Sequence, residues 1–135
     1  MSKVAIVYWS GTGNTEDVAN KIKGDLGCDC FNVSDTNVDD ILNYDTIILG
    51  CPAMGAEELE DAEFKPFYDE LIQKAASKNI ALFGSYGWGD GEWMRLWASD
   101  VKEHGANLLN EGLIVNGDSS AIVDSEYESF IQSLK

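Results

Sequence analysis

Val4-Ala5-Ile6-Val7-Tyr8-Trp9-Ser10-Gly11-Thr12-Gly13-Asn14-Thr15 is the stretch whose reading decides the fold. An apolar run of strand length passes directly into six small or polar residues. Helical spacing follows at Val18, Ala19, Ile22 and Leu26. Strand, tight polar loop and helix N-terminus in that order make the first unit of a parallel sheet with crossover helices.

The unit recurs along the chain. Strands are expected over residues 3–9, 30–33, 46–51, 80–85 and 107–115, with Gly112 as a point of interruption in the last. Helical faces follow at Phe64, Phe67, Tyr68, Leu71, Ile72 and Ala75; at Trp93, Met94, Trp97 and Val101; and at Tyr127, Phe130, Ile131 and Leu134. A short helical turn is expected over residues 38–42. Pro66 suits a first helical turn, where its missing N–H is not needed. Several strands are continuously apolar, as strands covered on both faces must be. The expected class is therefore α/β: a doubly wound, five-stranded parallel sheet of strand order 2-1-3-4-5 with helices on both faces. That order opens a crevice between strands 1 and 3, outside their carboxyl ends. No repeat, low-complexity tract or linker divides the chain, so residues 1–135 are expected to form a single domain.

Composition narrows the function. With 135 residues and 44% hydrophobic content, one core can form without disulfides. No apolar run reaches the roughly 18 to 20 residues of a membrane span, and no leader pattern precedes Val4, so a soluble, cytoplasmic monomer is expected. Cys28, Cys30 and Cys51 form no Cys-x-x-Cys pair, and His104 is the only histidine, which leaves too few ligands for zinc. The cysteines read as small apolar residues in a reducing compartment. A net charge of -15 repels nucleic acid and anionic membrane and favours basic partners, or serves solubility alone.

Three glycine-bearing loops follow strands 1, 3 and 4, and the topology gathers them at one sheet edge. The first comprises Ser10, Gly11, Thr12, Gly13, Asn14 and Thr15. Free N–H groups and a positive helix dipole let such a loop bind a phosphate without a cationic side chain. The triphosphatase loop is absent, and Glu16 stands where a dinucleotide fingerprint needs its third glycine. The second loop brings Ala53, Met54, Gly55, Ala56 and Glu57. Met54 is either a thioether against a flat ring or ordinary core filler, and Glu57 can accept from a ring N–H. In the third, Ser85, Tyr86, Gly87, Trp88, Gly89, Asp90 and Gly91, an indole lies between glycines, either exposed or stacked on a ligand. Glu57, Glu58, Glu60, Asp61 and Glu63 crowd the approach to the Phe64 helix. They either complement its N-terminus or form a docking face for a basic partner.

Residues 8–15, 51–55 and 83–91 closely resemble the loops of short-chain flavodoxins from anaerobic bacteria, and the likeness extends over nearly the full chain. The resemblance implies a flavodoxin-like fold and a non-covalent FMN. It further implies that the phosphate would lie in residues 10–15, with Trp88 on one ring face, Met54 on the other and Glu57 at N3. It implies a carrier, not an enzyme, that shuttles single electrons between redox proteins through the semiquinone/hydroquinone couple, with docking near the acidic segment and Trp88. In that family the peptide after the methionine turns its carbonyl toward N5. Ala56 follows Gly55 here, so weaker semiquinone stabilisation is expected than in glycine-rich relatives.

Charge agrees with a low potential. A unit charge ~10 Å away in water opposes reduction by roughly 0.4 kcal/mol. Several such charges sum to ~1–3 kcal/mol, and about 1.4 kcal/mol corresponds to ~59 mV for one electron. The alternative is an FMN-dependent NAD(P)H or quinone reductase, which needs a second pocket that a chain of 135 residues has little room for. A phospho-acceptor receiver would need acids where Tyr8-Trp9-Ser10 and Gly50-Cys51-Pro52 stand. Trp9, Tyr86 and Trp93 are left between flavin shielding and core packing.

Overall fold

The computed structural model describes residues 3–11, 13–53, 59–86, 91–117 and 119–134. In chain order the elements are β1 (Val4–Tyr8), α1 (Asn14–Leu26), β2 (Asp29–Asn32), α2 (Val38–Ile41), β3 (Thr46–Gly50), α3 (Phe64–Lys74), β4 (Asn79–Ser85), α4 (Glu92–Glu103), β5 (Asn107–Leu108), β6 (Leu113–Val115) and α5 (Asp124–Ser133). Short 3-10 turns occupy Val33–Asp35 and Ser119–Ala121. The strands are parallel in the order β2-β1-β3-β4-β5, with β6 also on β4. Among the described residues no helix is long and apolar enough to cross a membrane.

Strand alternation sorts the core into two layers. Ala5, Ile47 and Ile80 are register partners across the central strands, and with Val7, Leu49 and Leu82 they face Phe64, Tyr68 and Leu71 of α3 and Trp93, Trp97 and Val101 of α4. Ile6, Ile48 and Ala81 point the other way, against Val18, Ala19 and Ile22 of α1 and Phe130 and Ile131 of α5. Each helical face expected from the sequence therefore meets a sheet face. Leu26, Phe67 and Leu134 lie at its half-buried margins. Asn37 caps α2 by accepting from the Asp40 N–H at 2.9 Å, which makes a turn as short as Val38–Ile41 a defined element.

Strand five is interrupted at the glycine where the sequence placed a break, and the interruption is wider than that one residue. Only Asn107 and Leu108 pair before the chain leaves the sheet, and it returns at Leu113. The partner offset rises from 28 residues (Ile80 to Leu108) to 30 (Phe83 to Leu113), so two extra residues bulge out. Gly112 makes the return with φ +102°, against Met94, whose Sδ would stand 2.5 Å from any Cβ there. The interruption thus spans residues 109–112, with Gly112 at its end.

Candidate functional site

The site is built at the carboxyl edge of β1, β3 and β4. The Trp9 N–H donates to Gly50 O at 3.0 Å and carries the ladder one residue beyond β1. The chain then turns: Ser10 Oγ accepts from the Gly13 N–H at 3.1 Å, and Gly11 lies against the Trp9 indole. Gly13 is the N-cap of α1 with φ 94°, a conformation that suits glycine, and it brings no side chain to the helix end. The amides that open α1 therefore receive no capping side chain from that position.

No lysine or arginine occurs between residues 9 and 17, while Glu16 and Asp17 stand in the first turn of α1. Tyr8 deals with one of these acids. Its hydroxyl donates to Glu16 Oε2 at 2.8 Å. Burial, then the bond and charge of Glu16, push the Tyr8 pKa up to about 12, so the phenol remains a donor at neutral pH.

The loops are fastened to one another. Thr15 is 1% exposed and Ser85 4%, and their hydroxyl oxygens lie 2.7 Å apart, linking the first loop to the third across 70 residues of sequence. The Ala53 N–H donates to Ser85 O at 3.0 Å and ties in the second. Among the described residues, Ser10, Gly11, Gly13, Asn14, Thr15, Ala53, Ser85 and Tyr86 are thus placed at one edge. Thr12, Met54, Gly55, Ala56, Glu57, Glu58, Gly87, Trp88, Gly89 and Asp90 lie outside the described residues.

Three aromatic residues left open by the sequence separate here. Trp93 is core: it is 2% exposed and its indole N–H donates to Cys51 O at 3.2 Å. Tyr86 is half-buried, its ring tilted on Trp93 with centroids 5.6 Å apart. Trp9, also half-buried, donates to Glu63 Oε1 at 3.3 Å and joins the first loop to the approach of α3.

The acidic segment requires a correction. Glu60 is 5% exposed, and its carboxylate accepts from the N–H groups of Ala62 at 2.6 Å and of Glu63 and Phe64 at 3.0 Å. It is the anion that closes the N-terminus of α3, so it is not part of a docking face. Its own N–H donates to Cys51 Sγ at 3.4 Å. Burial holds the Cys51 thiol up at about 12. Asp61 and Glu63 remain exposed. The signal for Glu60 was an acid four residues before the helix; the choice between cap and docking contact was not in the sequence.

The described geometry fits an anionic group such as a phosphate: a glycine-opened helix end with no lysine or arginine in residues 9–17. Comparison with known proteins agrees. The family model described as Flavodoxin matches residues 6–130. A flavodoxin of Megasphaera elsdenii is 50% identical over 116 residues, 82% of this chain and 85% of that protein. One of Clostridium beijerinckii is 52% identical over 118 residues, covering 84% and 86%. The solution structure of two-electron reduced Megasphaera elsdenii flavodoxin superposes with a TM-score of 0.84 at 44% identity, covering 98% of this chain and 99% of that one.

Proposed function

The chain belongs to the flavodoxin family and is an electron-transfer protein that binds FMN, and from that premise we propose how its own residues hold the cofactor and meet its partners. The flavin supplies one-electron redox chemistry when bound; the protein binds, orients and shields it. The open end of α1 takes the phosphate through the backbone N–H groups of residues 11–15 other than Gly13, whose N–H is held by Ser10 Oγ, assisted by the hydroxyls of Ser10 and Thr12. Thr15 contributes its N–H, while its hydroxyl holds Ser85 and with it the third loop. Ala53, Met54, Gly55, Ala56 and Glu57 then line one side of the ring, with Glu57 as acceptor for N3. Ser85, Tyr86, Gly87, Trp88, Gly89 and Asp90 line the other. The observation that carries this reading is the Thr15–Ser85 bond beside the side-chain-free Gly13 cap.

Residues 1–135 act as one cytoplasmic, monomeric domain. Redox partners with basic faces dock over Asp61, Glu63, Glu57, Glu58 and Trp88, and association slows as salt screens the attraction. The acidic surface keeps the second-electron potential below that of free FMN. The test is direct: purified protein should be yellow, quench added FMN fluorescence after cofactor removal, and show that low potential in anaerobic titration. A colourless protein that leaves FMN fluorescence unchanged would end the reading, and steady NADPH turnover by the protein alone would replace it with a reductase.

A further inference from the structure

The two helices that cover one face of the sheet leave a groove between them. A cavity of about 560 Å³ runs along α3 and α4, walled by Leu59, Tyr68, Ile72, Trp93, Leu96 and Trp97. Its α4 wall extends from Trp93 to His104, roughly 16 Å or about three helical turns. Leu96 is the residue that core packing does not explain. Its neighbours Trp93 and Trp97 are 2% and 3% exposed, yet Leu96 is 60% exposed. Val123, the other large apolar side chain left in water among the described residues, is not part of this groove.

The rim is acidic. Asp61, Asp69 and Asp100 line the groove, with Lys65 and His104 as the basic side chains beside them. Lys65 is already engaged, its Nζ 3.1 Å from both carboxylate oxygens of Asp69. His104 places Nδ1 2.8 Å from the Asp100 carbonyl oxygen. The Asp100 carboxylate accepts from the Tyr68 hydroxyl at 2.8 Å, which holds it at the groove while leaving its charge without a cation of lysine or arginine type from these walls.

We propose that this groove docks a basic amphipathic helix of a partner protein, with apolar side chains on Leu96 and Leu59 and lysine or arginine over Asp61 and Asp100. An apolar strip about three turns long between two helices is a form that receives a third helix by its apolar face. Carboxylates on the rim select a basic helix over an acidic one. The same rule disfavours a second copy of this chain, whose net charge of -15 is repelled by its own kind. The groove meets the docking face proposed above at Asp61, but it binds without electron transfer and adds an apolar anchor to the attraction between charges.

The test uses isotope-labelled, FMN-loaded protein and two peptides, acetyl-LKKLLKLLKKLLKL-amide and acetyl-LEELLELLEELLEL-amide, followed by NMR. The indole N–H of Trp97, buried in the groove wall, is the reporter, and that of Trp9, bonded to Glu63 beside the first loop, is the reference. The expected result is binding of the lysine peptide alone, with shifts at Trp97 and along residues 93–104 that exceed those at Trp9. Leu96→Ser should weaken binding about tenfold, the effect of no longer burying the exposed part of a leucine. Asp100→Asn should weaken it about threefold, and Val123→Ser should leave it unchanged. Equal binding of the glutamate peptide, undiminished binding by Leu96→Ser, or shifts confined to Trp9 and the flavin-edge residues would overturn the proposal. The last of these would leave docking over Asp61 and Glu63 standing, so the two readings fail separately.

Discussion

Two helices of this protein begin in opposite ways. α3 brings its own anion: the buried Glu60 carboxylate takes the N–H groups of Ala62, Glu63 and Phe64. α1 opens on Gly13, which has no side chain to offer, and the nearest acid, Glu16, is held by Tyr8. Both ends carry the same electrostatic demand, since every helix N-terminus is a site of partial positive charge. At α3 that demand is met within the chain, and the result is a rigid corner. At α1 no side chain of the Gly13 cap meets it, and on the function proposed above it is left for the cofactor phosphate.

The sharpest way to break the contrast is to give α1 a carboxylate of its own. Gly13→Asp should lower FMN affinity by ~100-fold, because a unit charge about 5 Å from the phosphate at an effective dielectric near 20 opposes binding by ~3 kcal/mol. Isothermal titration of the apoprotein checks it, and Gly13→Ala, with backbone strain alone, should lose far less.

The complementary change empties α3. Glu60→Ala leaves the buried Phe64 N–H and the part-buried N–H groups of Ala62 and Glu63 without their acceptor and should destabilise the fold by ~2–3 kcal/mol in denaturant titration. FMN affinity per folded molecule should change little, and an equal loss in both would mean that the two helix ends are not independent.

Between them lies the Thr15–Ser85 link. Thr15→Val and Ser85→Ala each leave one buried hydroxyl unpaired and should destabilise by ~1–2 kcal/mol. The double variant should lose less than the sum, and additive losses would show that the hydroxyls do not act as a pair.

A smaller effect is expected at Tyr8. Tyr8→Phe frees the Glu16 carboxylate near the open end of α1 and should weaken FMN binding ~2- to 5-fold, corresponding to ~0.5–1 kcal/mol, with the difference shrinking in high salt.

Alkali tests both corners at once. Tyr8 and Cys51 hold their protons in the fold up to about 12, above their ordinary values of 10.0 and 9.0. The unfolded chain thus loses these protons first. Their stabilisation is complete below pH 9, declines as pH rises above it, and is gone above 12. Unfolding free energy should fall over that window, and tyrosinate absorbance should show a late component missing in Tyr8→Phe.

Much of this protein was legible in the chain because the governing forces are local. Alternation along Val4–Tyr8 and helical spacing from Val18 to Leu26 fix which side chains share a face, and the right-handed crossover rule turns five such units into the order 2-1-3-4-5. The small and polar run at residues 10–15 likewise reads as a glycine-opened helix start from the chain alone, and the Gly13 cap of α1 is found there.

What the sequence could not decide depends on groups brought together from afar. Glu60 and Asp61 are adjacent acids, yet packing against Cys51 and α3 buries the first as a cap and leaves the second in water. Gly112 marked a break in strand five, but its extent over residues 109–112 follows from the register on β4, a relation between residues 28 and 30 apart. Thr15 and Ser85 each read as a ligand-binding hydroxyl, and only their approach across 70 residues makes them a clasp. A side chain's period is set by its own backbone, but its hydrogen-bond partner is set by the fold.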